Sequence, residues 1–438
     1  MSSLAIGLLG VLALLVVLFL RVPIAVALAL TGMLGYAAID GWKTALDVMG
    51  AVPFELASVR GNAYALSVVP LFILMGAVAS RARMSRELYD AANAIFSGFR
   101  GALTNATIGA CAAFGSICGS SIATAATFSK VAIPEMRRHG YDAGLSAGAV
   151  AAAGTLAILI PPSVLLAIYS IAAEQSLPKL FAASLIPGIV LAALYVVIVV
   201  VIARLRPDWT PYVAPMPLRE RLRAAASMWK LGILFFLAVV GIYLGWFSPT
   251  EAASVAAFAA IVIGFATRAL TLPDLLDAFL ETVYSTAMLF FIVIGAFIFA
   301  RFIVLTRVPN EIVRLVGELG MTPIAIVVAV IALYFLLGTF LEEVSTILIT
   351  VPVVFPLMQS IGYDGIWFGV FVTVMCTIGL ISPPVGLTVF VIQAQNPDIP
   401  ATRIYLGTLP FLAADFVLVA LLIAFPALAL WLPAALKM

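Results

Sequence analysis

Apolar residues run in blocks along almost the whole chain, and the blocks are separated by short polar turns. Membrane crossings are predicted at 4–20, 23–39, 63–80, 143–173, 180–203, 228–246, 250–267, 282–306, 365–395 and 404–431. About 20 apolar residues, at roughly 1.5 Å of rise each, cover a hydrocarbon core. Two blocks, 143–173 and 365–395, exceed that length, and each contains a proline pair, Pro161-Pro162 and Pro383-Pro384. Proline removes a backbone donor and clashes with the preceding turn, so both helices are expected to break near mid-membrane.

The stretch GSICGSSIATAAT, 115–127, departs from this pattern, because it is built of Gly, Ser, Thr and Ala within an apolar region. The flanking segments 101–114 and 122–134 are each about half a bilayer long, which predicts a re-entrant hairpin over 101–134 with a tip at 115–121. Unwound backbone at membrane depth survives only inside protein or facing a water-filled cavity, since lipid satisfies no free N–H or C=O. Such a tip is a candidate site.

Shifting the chain on itself by 222 positions aligns Pro134 with Pro356, Met136 with Met358 and Gly140-Tyr141-Asp142 with Gly362-Tyr363-Asp364. Thr124 meets Thr346, and the two proline pairs coincide. The register predicts an internal repeat and a second hairpin over 322–356, with arms at 322–337 and 344–356. Its tip runs from Gly338 through Glu343. The expected organisation is a first repeat at 1–203, a linker at 204–227 and a second repeat at 228–438. An odd number of crossings between corresponding spans inverts the second half, and inverted repeats with discontinuous helices mark secondary transporters. The fold class is thus an all-α polytopic membrane protein of two inverted-topology repeats.

Lys and Arg give an independent reading of topology. Most of the 23 fall in inside loops if the N-terminus lies on the extracytoplasmic side. The first hairpin then enters from the cytoplasm and the second from the opposite face. Arg301, Arg307 and Arg314 are the exceptions. The connection 204–223, with four prolines and five arginines, reads either as a linker that lets the halves move or as a basic lipid-facing anchor.

Composition sharpens the class. Of 438 residues, 64% are hydrophobic and 10% charged, against about a quarter charged in an ordinary soluble domain. A soluble enzyme or nucleic-acid binder is excluded, and the net charge of +2 says little about partners. The first block lacks a basic n-region and a cleavage motif, so it reads as a retained span. Cys111, Cys118 and Cys376 lack CxxC spacing and read as buried thiols. His139, the single histidine, follows Arg137 and Arg138 and reads as a surface residue.

Hydroxyl oxygens and carbonyls freed by a proline break are hard ligands suited to sodium. A first candidate sodium site combines Ser116, Gly119 and Ser120 with Gly154, Thr155, Ile160 and Pro161. A second combines Gly338 and Thr339 with Thr377, Gly379 and Ser382. Ser120 and Ser121 begin the second arm of hairpin one, where free N–H groups and the helix dipole favour a carboxylate; with Thr124 they form the candidate substrate contacts. Glu342 and Glu343 occupy the places of Ser120 and Ser121 in the second repeat, and read as coupling or gating residues or as helix caps. Arg301 reads as a carboxylate ligand or as a side chain reaching for the interface. No cofactor is expected beyond sodium as the coupling ion.

Taken together, PLFILMG (70–76), GSICGSSIATAAT, KVAIPEMRRHGYD (130–142), GTLAILIPPS (154–163), SPTEAA (248–253), ITVPVVFPL (349–357) and SPPVGL (382–387) resemble the large membrane subunit of tripartite ATP-independent periplasmic (TRAP) transporters. The resemblance covers nearly the whole chain in order. It implies an elevator-type carrier, sodium coupling and a multi-pass protein of a bacterial or archaeal cytoplasmic membrane. It also implies two partners, an extracytoplasmic solute-binding protein that delivers an organic acid and a small four-helix membrane subunit. Nothing precedes the first span here, so the small subunit is expected as a separate chain. Cargoes in the family include C4-dicarboxylates, sialic acid and keto acids. A stand-alone sodium/dicarboxylate carrier of related architecture is the alternative within the class. A membrane-embedded enzyme with a hydroxyl nucleophile is the alternative outside it, but no GxSxG or HExxH motif is present.

Overall fold

The computed structural model describes residues 2–20, 22–58 and 63–438. The described residues are helical apart from short turns and one isolated bridge between Arg100 and Tyr212. Helix is the form that satisfies every backbone donor and acceptor within one segment, which a chain of mean hydropathy +1.20 requires in lipid. Among the described residues, eight helices are long and apolar enough to cross a membrane, or up to ten if each bent pair counts as one span. Side chains start many of them: Asp142, Ser163, Ser248, Thr271, Thr322 and Asp364 each accept a hydrogen bond from the first turn of the helix that follows.

Helix pairs stand where the two hairpins are expected, with narrower breaks than the composition suggests and with arms of 17 and 18 residues, longer than the half-bilayer arms expected. The first is Ala102–Cys118 and Ser121–Arg138, leaving only Gly119 and Ser120 outside the helices. The second is Pro323–Phe340 and Glu343–Ser360, leaving Leu341 and Glu342. Gly115, Ser116, Gly338 and Thr339, expected at the tips, are helical instead. A buried backbone keeps its ladder until some residue is forced out of it, because each unmade hydrogen bond is costly. Gly119 forces that exit by adopting φ 64°, ψ 9°, a left-handed conformation open to glycine at little cost.

Both long blocks break as expected. The first divides into Ala143–Leu159 and Val164–Ala172, bent by 46°, and the second into Gly365–Ile381 and Leu387–Gln395. Both proline pairs are joined by a cis peptide bond. Ser163 ties the first break down by donating to the Ile158 carbonyl at 2.6 Å and accepting from the Leu166 N–H. All 17 residues of Gly365–Ile381 are buried, so this helix is core and not a lipid-facing span.

Several crossings differ from expectation. The second span continues as Ile24–Ala57, but Gly41 at φ 87°, ψ 163° kinks it and turns the remainder into a separate arm. The span expected at 282–306 begins ten residues earlier, as Leu272–Thr306, capped by Thr271 and Asp274. At 35 residues it is about 52 Å long, well beyond a hydrocarbon core. The span expected at 228–246 is Trp229–Tyr243 with a π-helical turn at Phe236–Val240, and the last block divides into Ala401–Ala424 and Ala427–Ala435. The 204–227 connection is no free linker. It contains the helix Leu218–Ser227, Arg221 donates to the Ser97 carbonyl at 2.7 Å, and the Asp142 N–H donates to the Trp209 carbonyl at 3.1 Å.

Two sets of contacts organise the helices. The long helices Ile24–Ala57 and Leu272–Thr306 run against each other so closely that a Cβ on Gly295 would stand 2.4 Å from the Ala25 carbonyl oxygen. Pro249–Ala266 packs on Val68–Arg81. Each pairing joins an element before residue 204 to one after it. The hairpin arms pack on the broken helices, and the broken helices pack on Ala401–Ala424, where Gly148 faces Gly407 backbone to backbone. Small residues allow this approach, and in a membrane close van der Waals packing is a main source of helix association.

Candidate functional site

The first tip seats directly on the first break. A Cβ on Gly119 would lie 3.3 Å from the Pro162 carbonyl oxygen, and one on Gly115 2.7 Å from the Ala157 Cα. Gly154 faces Ala125 of the second arm at 2.8 Å by the same measure. Ser120 is extended, and its Oγ accepts from the Ala123 N–H at 3.3 Å, which caps the arm Ser121–Arg138. Gly115 and Gly119 are thereby brought against Ala157 and Pro162, and Gly154 against Ala125.

The second tip repeats the arrangement. Gly379 faces Gly338 so tightly that its Cβ would stand 2.5 Å from the Gly338 carbonyl carbon, and the Gly386 N–H donates to the Thr339 carbonyl at 3.4 Å. Thr155 donates to Ala152 and Thr377 to Val374, both at 2.7 Å, as equivalent bonds 222 positions apart. Ser116, Thr339 and Ser382 likewise donate to carbonyls of their own helices, at 2.7, 2.8 and 2.6 Å. A hydroxyl whose proton is already given away presents only lone pairs to its surroundings.

Between the tips lies a cavity of about 320 Å³. Gly119 and Ser120 bound it on one side, Glu342 and Glu343 on another, and Ser80 of Val68–Arg81 and Glu281 of Leu272–Thr306 line it further. The Ser121 hydroxyl donates to Glu343 Oε1 at 2.8 Å. These two residues are repeat mates, so their contact lies where any two-fold relation between the halves has its axis. Glu343 is 7% exposed, and its Oε2 has no hydrogen-bond partner among the described residues. Glu342 is engaged differently, since its Oε2 accepts from the Ser345 N–H and hydroxyl at 3.3 and 3.0 Å and so caps the second arm.

Among the expected substrate contacts, Ser120 lines the cavity, while Ser121 and Thr124 are fully buried behind it. The remaining sodium candidates, Ser116, Gly154, Thr155, Ile160, Pro161, Gly338, Thr339, Thr377, Gly379 and Ser382, sit behind the tips and do not line it. Arg301 is ion-paired with Glu55 and grips no site residue. His139 lies at the surface, its Nδ1 3.0 Å from the Glu135 carbonyl.

The family follows from the whole chain: residues 11–428 match the model of the tripartite ATP-independent periplasmic transporter, DctM component. The chain belongs to that family. It is 38% identical to the C4-dicarboxylate TRAP transporter large permease protein DctM of Pseudomonas aeruginosa over 84% of this chain and 86% of the relative. It is 30% identical to the ectoine/5-hydroxyectoine TRAP transporter large permease protein UehC of Ruegeria pomeroyi, over 96% and 97% of the two chains. Among solved structures it shares its fold with the Alcanivorax borkumensis YdaH transporter, with a TM-score of 0.61 at 16% identity over 89% and 90% of the chains. Its relatives are transporter permeases and not enzymes. This TRAP permease is therefore a multi-pass inner-membrane protein of a secondary transporter that works with a small membrane subunit and a solute-binding protein.

Two groups are invisible in the sequence pattern. Arg81 bonds Glu281 at 2.8 Å and approaches Asp277 at 3.6 Å, forming a charged wall beside the cavity. Glu281 falls just outside the span expected at 282–306; the capping pair Thr271 and Asp274 is the available signal for an earlier start. The second group is Asp415, fully buried, with Oδ1 accepting from the Tyr195 hydroxyl at 2.7 Å and Oδ2 unpartnered among the described residues. Tyr195→Phe should cost about 1–3 kcal/mol by leaving a buried carboxyl without its donor, seen as a lower unfolding temperature in detergent. Adding Asp415→Leu should recover most of the loss; an unchanged single variant would show that the bond contributes nothing.

Proposed function

We propose that this TRAP permease carries a small organic acid from its extracytoplasmic binding protein into the cytoplasm, coupled to inward sodium movement. The observation that carries this reading is the cavity held between two hairpin tips, each seated on a broken helix. Ser120 brings a helix N-terminus to the cavity, where unpaired N–H groups and the dipole favour a carboxylate. The hydroxyls of Ser116 and Thr155, and of Thr339, Thr377 and Ser382, have given their protons to carbonyls, so their oxygens are ready as hard ligands for a small cation. Among the described residues no three His, Cys, Asp or Glu side chains are grouped to hold a metal, and oxygen from hydroxyl and backbone is the ligand class at hand.

The cross-packed long helices act as the scaffold, and the hairpins with their broken helices act as the body that moves the cargo. The halves are inverted repeats and the N-terminus is extracytoplasmic. Proteoliposomes holding the permease, its small subunit and its binding protein should accumulate solute only with an inward sodium gradient. Uptake of equal rate and extent with potassium in place of sodium would reject the coupling.

A further inference from the structure

A second cavity, of about 390 Å³, lies at the far end of the first hairpin's second arm, the cytoplasmic end in the topology proposed above. Lys130, Val131, Pro134 and Arg138 of Ser121–Arg138 line it. The same helix lines the cargo cavity with Ala123, Ala126 and Thr127. Positions 123, 127, 130, 134 and 138 are spaced by three or four and so form one face of the helix. Thr127 and Lys130 are only about 4.5 Å apart along its axis, which leaves less than one turn between the two cavities. The opposite wall is continuous as well. Gly76, Ala77 and Ser80 of Val68–Arg81 border the cargo cavity, and Arg86, Tyr89, Asp90 and Asn93 of the next helix, Met84–Phe96, border the second.

The two cavities differ in charge. Glu281, Glu342 and Glu343 line the first, whereas Arg86, Lys130 and Arg138 outnumber Asp90 and Glu135 in the second. Arg138 is paired with Glu135 at 2.8 Å. The exposed side chains of Arg86 and Lys130 enter no hydrogen bond or salt bridge among the described residues, and Arg86 stands one turn from Asp90 on its own helix. Cations at the mouth of a low-dielectric cleft focus the field and raise the local concentration of anions.

Resting on the transport reading above, we propose that the second cavity is the release vestibule for the cargo, and that Arg86 and Lys130 receive its carboxylate as it leaves the tips. The solute moves along one face of Ser121–Arg138, from Ser120 past Thr127 to Lys130. Glutamates at the start of this path and a net positive wall at its end give the field a direction that draws an anion outward. Ion pairs to exposed side chains contribute about 1 kcal/mol or less, so the vestibule speeds departure without retaining the solute. A lipid phosphate is the other anion that such cations could hold, but the continuity with the cargo cavity favours the solute.

Thr127→Cys puts a reactive thiol on the cargo-cavity wall just inside the vestibule, and Cys118→Ala removes the native thiol that borders the same cavity. The permease with its small subunit is held in phosphatidylcholine nanodiscs and treated with two methanethiosulfonates of similar size, the anionic sulfonatoethyl and the cationic trimethylammonioethyl reagent. Mass spectrometry times the modification at position 127. Adding Arg86→Gln and Lys130→Gln should slow the anionic reagent about tenfold, the lower end of electrostatic steering, and leave the cationic reagent unchanged or faster. The difference should vanish near 1 M salt, where charges are screened within about 3 Å. Equal slowing of both reagents, slowing of neither, or no modification by either overturns the inference. A charge effect that disappears when phosphatidylglycerol is added to the discs also overturns it, because a lipid headgroup then occupies the cations. Steering in a protein whose uptake fails the sodium test above rejects the coupling and leaves the vestibule standing, whereas sodium-driven uptake without steering overturns the vestibule alone.

Discussion

Gly379→Val should lower sodium-dependent uptake about 100-fold or more while the protein still inserts and is purified intact. Any Cβ at this position would stand 2.5 Å from the carbonyl carbon of Gly338, which is backbone in the facing hairpin arm and cannot rotate away. The only relief is to push the second hairpin off the second broken helix, and overpacking of this kind costs about 1–3 kcal/mol or more. Stability can absorb that cost. A cation site cannot absorb the movement, because oxygen ligands to hard cations work within a few tenths of an ångström. Gly317→Val is the control, since nothing lies within 4 Å of a Cβ there. Initial uptake rates across a range of sodium concentrations decide the matter, and a Gly379→Val protein with the wild-type sodium dependence would remove the second tip from the coupling machinery.

The other large effect belongs to Ser120. Its side chain borders the cavity from a two-residue tip, and it caps the helix Ser121–Arg138 there. Ser120→Trp fills the space and removes the cap, which alone contributes about 1 kcal/mol. Uptake should fall below detection with little change in unfolding temperature, because the new ring enters a void and not a packed core. Ser116→Trp makes the contrast: Ser116 is 4% exposed within the first arm, so a large ring there should lower the unfolding temperature as well. Equal thermal losses in the two variants would mean that Ser120 is packed and does not border open space.

Much of the site is legible in one dimension. The proline pairs sit at the breaks, the small-residue stretch sits at a hairpin, and the caps Asp142 and Asp364 begin equivalent helices in the two halves. Tip width is not legible, since Gly115, Ser116, Gly338 and Thr339 look like loop formers yet remain helical when no water competes for their backbone. Glu342 and Glu343 stand out together as suspects, but the chain does not separate their roles. One caps its own arm and the other turns to the facing tip, a choice made by contact with Ser121.

The sequence by itself determined the class and the doubled pattern of small-residue stretch and proline pair, because apolar run length, proline chemistry and repeat register survive without coordinates, and its motifs in order carried the resemblance to the family. Only the tertiary structure decided that the two tips meet, that Gly338 and Gly379 touch through their backbones, and that three glutamates line one cavity. Those facts join residues scores or hundreds of positions apart. They depend on how helices choose among many similar apolar neighbours, and in a membrane protein that choice rests on shape at the contact, which no period in the chain records.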